Sequence, residues 1–201
     1  MHARVLSMVF TAAIMAAVSC VASAAPPNFD ANTTERPRSR VDFFEQLFGI
    51  DTGGSGPIPR QRVSFDTRYK PGTIVISTKE RRLYLVTGEG EALRYGIGVG
   101  RIGFSWRGRH RVTAKREWPD WTPPPQMLRR RPDLPRYMPG GEDNPLGARA
   151  MYLGSTLYRI HGSNEPETIG TAVSSGCFRL TNEDVIHLYE RVKVGAPVVV
   201  Q

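Results

Sequence analysis

Cysteine is nearly absent from this chain, with two residues in 201, Cys20 and Cys177. No pair of cysteines stands at metal-ligand spacing, which excludes a zinc ribbon or related thiolate site. Long apolar runs are missing beyond the first two dozen residues, so no later segment is built to cross a bilayer as a helix. Acidic residues are few, 19 against 27 Lys and Arg, giving a formal net charge of +8. The glycines at Gly96, Gly98 and Gly100 lack the two-residue gap of a dinucleotide fingerprint, and no helical pattern follows them.

What is present begins with a leader. Met1-His2-Ala3-Arg4 is a short basic head, residues 5–18 are apolar, and Val21-Ala22-Ser23-Ala24 ends in small residues. That pattern reads as a secretory signal cleaved after Ala24, too short for an anchor. Lipidation of Cys20 is the minor alternative, because Ala17-Val18-Ser19-Cys20 lacks a leucine three residues before the cysteine. Cleavage at Ala24 leaves a mature chain of about 177 residues, a charge near +7 and one thiol, Cys177. A lone thiol cannot form an internal disulfide, and in an oxidising compartment it is exposed to side reactions. The length suits one sizeable core. The charge suits an anionic partner, and export argues against nucleic acid in that role.

Residues 25–69 are rich in Pro, Gly and Arg and read as an irregular arm or linker, with one short amphipathic helix expected at 41–48. The compact domain is expected over 70–201. Residues 73–77 and 82–86 are β-rich runs that suggest a hairpin, and 94–100 suggests a third strand bent at its glycines. Residues 150–153 and 157–160 add two more. Thr181 with Asp184 three positions on signals a helix start, and Val185, Leu188, Tyr189 and Val192 recur at helical spacing, so the helix is placed at 182–191. Residues 197–200 close the chain as an edge or barrel strand. About seven strands and one main helix predict a mostly β domain of sandwich or barrel-like form. Between Trp118 and Asn144 lies a loop dense in proline and arginine. Such a length is unusual inside a domain and is usually functional. Trp106, Trp118 and Trp121 either line a groove for a polar chain or pin this loop to the core.

The chemistry concentrates at Ser174-Ser175-Gly176-Cys177-Phe178-Arg179. A glycine before the cysteine permits a sharp turn, which leaves the N–H groups of Gly176 and Cys177 as candidate oxyanion donors. Arg179 and the following helix are expected to favour the thiolate. Thiol chemistry also needs a proton carrier, and imidazole has the affinity for it. Of His110, His161 and His187, the preferred one is His161, at a strand end before Gly162. Its orienting partner stays open between Glu165, Glu167 and a backbone carbonyl near Gly162. Arg179 either binds a substrate carboxylate or forms an internal ion pair, and Ser175 is read as a buttress of the turn.

Fifteen residues separate His161 from Cys177. The run His161-Gly162-Ser163 followed at that distance by Ser175-Gly176-Cys177-Phe178-Arg179 resembles the signature of the L,D-transpeptidase catalytic domain, also called the YkuD domain. The likeness covers about 71–201. Residues 117–124, Asn164-Glu165-Pro166 and Ile169-Gly170 resemble its Gram-negative periplasmic branch.

By that resemblance, Cys177 attacks the third residue of a peptidoglycan stem tetrapeptide, expels D-alanine and holds a thioester, with His161 as base. The acyl group then passes to a diaminopimelate amine, forming a 3-3 cross-link, or to a lysine of an outer-membrane protein. The resemblance also implies acylation of the cysteine by carbapenems, a periplasmic location and no cofactor. Two other readings compete: the same site with water as acceptor, a carboxypeptidase or hydrolase of wall-protein links, and a noncatalytic wall-binding module built on charge and tryptophans.

Overall fold

A computed structural model describes residues 56–201 apart from position 89. The expected leader, Cys20 and the short helix at 41–48 lie outside the described residues. Among those described, eleven strands alternate with two α-helices and a 3-10 turn. The strands are β1 (Gln61–Ser64), β2 (Ile74–Ser77), β3 (Arg82–Gly88), β4 (Glu91–Gly96), β5 (Val99–Gly100), β6 (Gly108–Glu117), β7 (Arg149–Leu153), β8 (Arg159–His161), β9 (Ala172–Ser174), β10 (Phe178–Arg179) and β11 (Pro197–Val200). The helices are α1 (Pro125–Arg130) and α2 (Asn182–Arg191), and the 3-10 turn is Pro166–Thr168.

Nine strands form one sheet in the order β1-β4-β3-β2-β11-β6-β7-β8-β10, while β5 and β9 pair separately. The long strand β6 joins the two halves. Its first residues pair with β11, and from Val112 onward it pairs with β7, with a register shift between Val112 and Ala114. A strand that changes partner at a bulge turns a sheet through a corner. The sheet folds over at β6 without closing into a barrel, so the sandwich-like form holds and the barrel does not. Ile74, Ile76 and Leu83 from one half and Met151, Leu153 and Ile160 from the other share a single core, closed by Val185 and Leu188 of α2 and by Val192 just past its end. α2 starts where expected: the Thr181 hydroxyl accepts from the Asp184 N–H at 3.1 Å.

Several expectations change. β11 lies at the centre of the sheet, parallel to β2 and antiparallel to β6, with Val198 and Val200 buried on one face of the strand. The single strand expected at 94–100 divides, since Gly98 leaves β4 to exchange backbone hydrogen bonds with Arg179 at 2.9 and 3.0 Å. Within the stretch 25–69, expected as a mostly irregular arm or linker, residues 61–64 form a strand. β1 adds to the edge at β4, and Ile58 fills the space above Gly96 and Gly170, where an added Cβ would come within 2.6 and 2.7 Å of it. Arg60, 4% exposed, donates to the fully buried Asp184 at 2.9 Å.

Candidate active site

The site grows from a two-strand parallel pairing. Phe178 of β10 stands opposite Ile160 of β8, and Arg179 opposite His161. Ile160 and Phe178 turn into the core, at 0% and 1% exposure. Side chains alternate along a strand, so Arg159 and His161 on β8, and Cys177 and Arg179 along β10, share the opposite face. Extending the register by one residue sets Cys177 diagonal to His161, with Cα atoms about 8 Å apart from strand rise and spacing. All four residues line one cleft of about 890 Å³. Its other wall is the loop after β6, which contributes Trp121, Arg130, Arg131 and Met138.

His161 is buried, and its Nδ1 lies 2.6 Å from the Gly162 carbonyl oxygen. A carbonyl only accepts, so Nδ1 carries the proton and Nε2 of the neutral ring keeps its lone pair. Burial lowers the ring's pKa to about 3, helped by the positive charges of Arg179 and Arg159 and opposed by the Gly162 hydrogen bond. Neither carboxylate considered for the orienting role reaches the ring: Glu165 accepts from Arg179 Nη1 at 2.9 Å, and Glu167 lies exposed in the 3-10 turn. Arg179 therefore rests in an internal ion pair on the cleft wall.

Cys177 differs from expectation. Burial pushes its thiol up from the ordinary value, outweighing Arg159 and Arg179, which pull it down. The sulfur keeps its proton at rest, aimed at the Leu157 carbonyl at a long 3.9 Å. Sulfur and imidazole are thus both uncharged before anything binds.

The turn carrying the sulfur is tightly tied. Gly176 has φ +112, and a Cβ there would lie 2.5 Å from Tyr158 Cε1, so only glycine fits. The Gly176 N–H donates to Ser174 Oγ at 3.1 Å, and the Ser174 hydroxyl donates to the Cys177 carbonyl at 2.6 Å. The expected pair of free backbone donors is therefore reduced to the Cys177 N–H, because a short serine side chain captures the other. Ser174, buried at 3% exposure, buttresses the turn in place of Ser175, which is half-buried and lines the cleft. Nothing in the serine doublet tells which of the two turns inward.

The tryptophans separate. Trp121 lines the cleft and pairs with Met138 across the loop, whereas Trp118 lies elsewhere, at φ +40 with its carbonyl oxygen packed against Gly140. Trp106 sits behind the turn instead of in the cleft: it packs on the core and donates from Nε1 to the Gly176 carbonyl at 2.8 Å. Five arginines line the cleft, Arg101, Arg130, Arg131, Arg159 and Arg179, against Asp143 and Glu165. The guanidinium groups of Arg101 and Arg130 both lie over the Phe104 ring, at 4.6 and 5.0 Å, and join the loop to the strand side. No cluster of metal-ligating side chains occurs among the described residues.

The family model for the L,D-transpeptidase catalytic domain, YkuD, matches residues 71–200. The Escherichia coli protein named Probable L,D-transpeptidase ErfK/SrfK is 39% identical over 160 residues, covering 76% of this chain and 50% of its own. The Escherichia coli protein named Probable L,D-transpeptidase YbiS is 37% identical over 170 residues, covering 78% and 54%. The chain thus spans about half the length of these two relatives. The solved catalytic domain of the E. faecium L,D-transpeptidase acylated by ertapenem is 18% identical, with a TM-score of 0.52 over 67% of this chain and 100% of that one, a likeness of fold.

Proposed function

The chain belongs to the L,D-transpeptidase catalytic-domain family, and from that premise we propose that it is a cysteine acyltransferase acting on peptidoglycan stem peptides in the periplasm. The observation that carries the reading is the shared strand face, with a protonated sulfur and a neutral imidazole whose tautomer leaves Nε2 free. Such a pair needs no resting charge. When the carbonyl of the third stem residue meets Cys177, Nε2 takes the thiol proton as the sulfur–carbon bond forms. The developing oxyanion meets the Cys177 N–H. Collapse breaks the amide bond, and His161 returns the proton to the departing D-alanine amine.

The thioester then meets an acceptor amine, a diaminopimelate side chain or an outer-membrane protein lysine. His161 accepts the amine's proton, the new amide forms, and the proton goes back to sulfur. Peptidoglycan stems carry several carboxylates, and a cleft with five arginines to two acidic residues suits them. Acylation by carbapenems follows from the same chemistry and from the ertapenem adduct of the E. faecium enzyme.

Purified protein incubated with a disaccharide tetrapeptide tests the reading. Cross-linked dimer with released D-alanine is expected, and its loss in Cys177→Ala. Monomeric tripeptide as sole product would make water the acceptor, and undiminished product from Cys177→Ala would refute the assignment.

A further inference from the structure

Trp106 makes a contact that the cleft chemistry above does not use. Its indole Nε1–H donates to the Gly176 carbonyl at 2.8 Å. The ring itself is locked in place: it stacks on Tyr158 at 4.5 Å between centroids and 13° between planes, and meets His110 edge-on at 5.2 Å. It also lies against Phe178 at 5.4 Å. Tyr158 immediately precedes β8, which carries His161, and Phe178 immediately follows the sulfur-bearing residue. One indole therefore touches both halves of the dyad's support without entering the cleft.

The Gly176 carbonyl belongs to the same peptide unit as the Cys177 N–H. The unit is trans and planar, so the two groups point in opposite directions. Fixing the oxygen fixes the N–H. Ser174 holds the flanking groups, taking the Gly176 N–H and the Cys177 carbonyl, but leaves this central peptide untouched. Gly176 at φ +112 gives the backbone freedom to rotate that plane, which makes an external tie consequential.

We propose that Trp106 is a positioning residue for acyl transfer: by holding the Gly176 carbonyl it aims the Cys177 N–H, the remaining backbone donor beside the sulfur, at the oxyanion. The proposal rests on the acyltransferase reading and refines it. It separates electrophile stabilisation from thiol reactivity, because alkylation by iodoacetamide displaces iodide at a tetrahedral carbon and develops no oxyanion.

The experiment compares wild type with Trp106→Phe, which keeps an aromatic ring and removes the donor. A second protein carrying benzothienylalanine in place of Trp106 keeps the bicyclic shape and removes only the N–H, so a folding failure of the first variant does not leave the question open. Acylation by disaccharide tetrapeptide is followed by intact mass, and alkylation of the same proteins by iodoacetamide. Removing an oxyanion donor outright costs about 10²–10³-fold, so loss of its aim is expected to slow acylation by about tenfold or more. The fall should appear in kcat with KM unchanged, and alkylation should stay within about twofold. Acylation unchanged in the benzothienylalanine protein would overturn the proposal, and so would a parallel fall in both reactions, which marks a merely structural role. If wild type itself forms no acyl adduct while alkylating normally, the acyltransferase reading fails, and the proposal fails with it.

Discussion

Acidification from pH 7 to 4.5 should expose two buried titrations that pull stability in opposite directions. His161 has its pKa lowered from 6.5 to about 3 in the folded protein. The unfolded chain then binds a proton that the folded chain refuses, so this stabilisation is complete above 6.5 and is lost as pH falls toward 3. Between pH 7 and 4.5 the loss is roughly 2–3 kcal/mol, at a little over 1 kcal/mol per pKa unit.

Asp184 behaves in reverse. Desolvation raises its pKa from 3.8 to about 6 despite Arg60, and one of its oxygens is buried without a partner. The folded chain holds that proton more tightly, so stability is gained as pH falls through 6 toward 3.8, by about 2 kcal/mol at pH 4.5. The two nearly cancel in wild type. Urea unfolding at both pH values separates them. The stability difference between wild type and His161→Gln should shift by roughly 2–3 kcal/mol over this interval, wild type losing ground. The corresponding difference for Asp184→Asn should shift by about 2 kcal/mol the other way. Parallel pH dependences for wild type and His161→Gln would refute the neutral, buried imidazole.

Two further substitutions probe the turn and the helix. Gly176→Ala places a methyl group 2.5 Å from Tyr158 at a φ of +112, so a loss of about 1–3 kcal/mol and near-complete loss of tetrapeptide acylation are expected, read by urea unfolding and intact mass. Thr181→Ala removes the acceptor for the Asp184 N–H and should lower stability by about 1 kcal/mol, measurable as a drop in Tm.

The parts legible in the sequence were those with local rules. The helix Asn182–Arg191 carries its own cap and period, and the hairpin of β2 and β3 has β-branched runs around a short turn. His161 and Cys177 stood out because glycines flank them. β6, the strand that joins both halves of the sheet, was hidden by Arg109, Arg111, Lys115 and Arg116, charged residues on a strand with few buried positions. β10 has two residues and exists through its pairing with β8 and its bridge to Gly98, which no periodicity can reveal. α1 was concealed in a run of prolines.

At the site, the expected thiolate failed because residue types predict nearby charge but not burial, and burial dominates at Cys177. By its place in the sequence Trp106 reads as a groove residue or loop pin. Its acceptor is 70 positions away in the chain, a contact made by the fold alone.

Intact mass spectrometry of the protein after brief exposure to disaccharide tetrapeptide tests the central assignment. The expected result is a mass gain equal to the substrate minus D-alanine, mapped to Cys177 and absent from Cys177→Ala. The same adduct on the Ala variant, or turnover of substrate by wild type with no covalent species and no dependence on that sulfur, would contradict it.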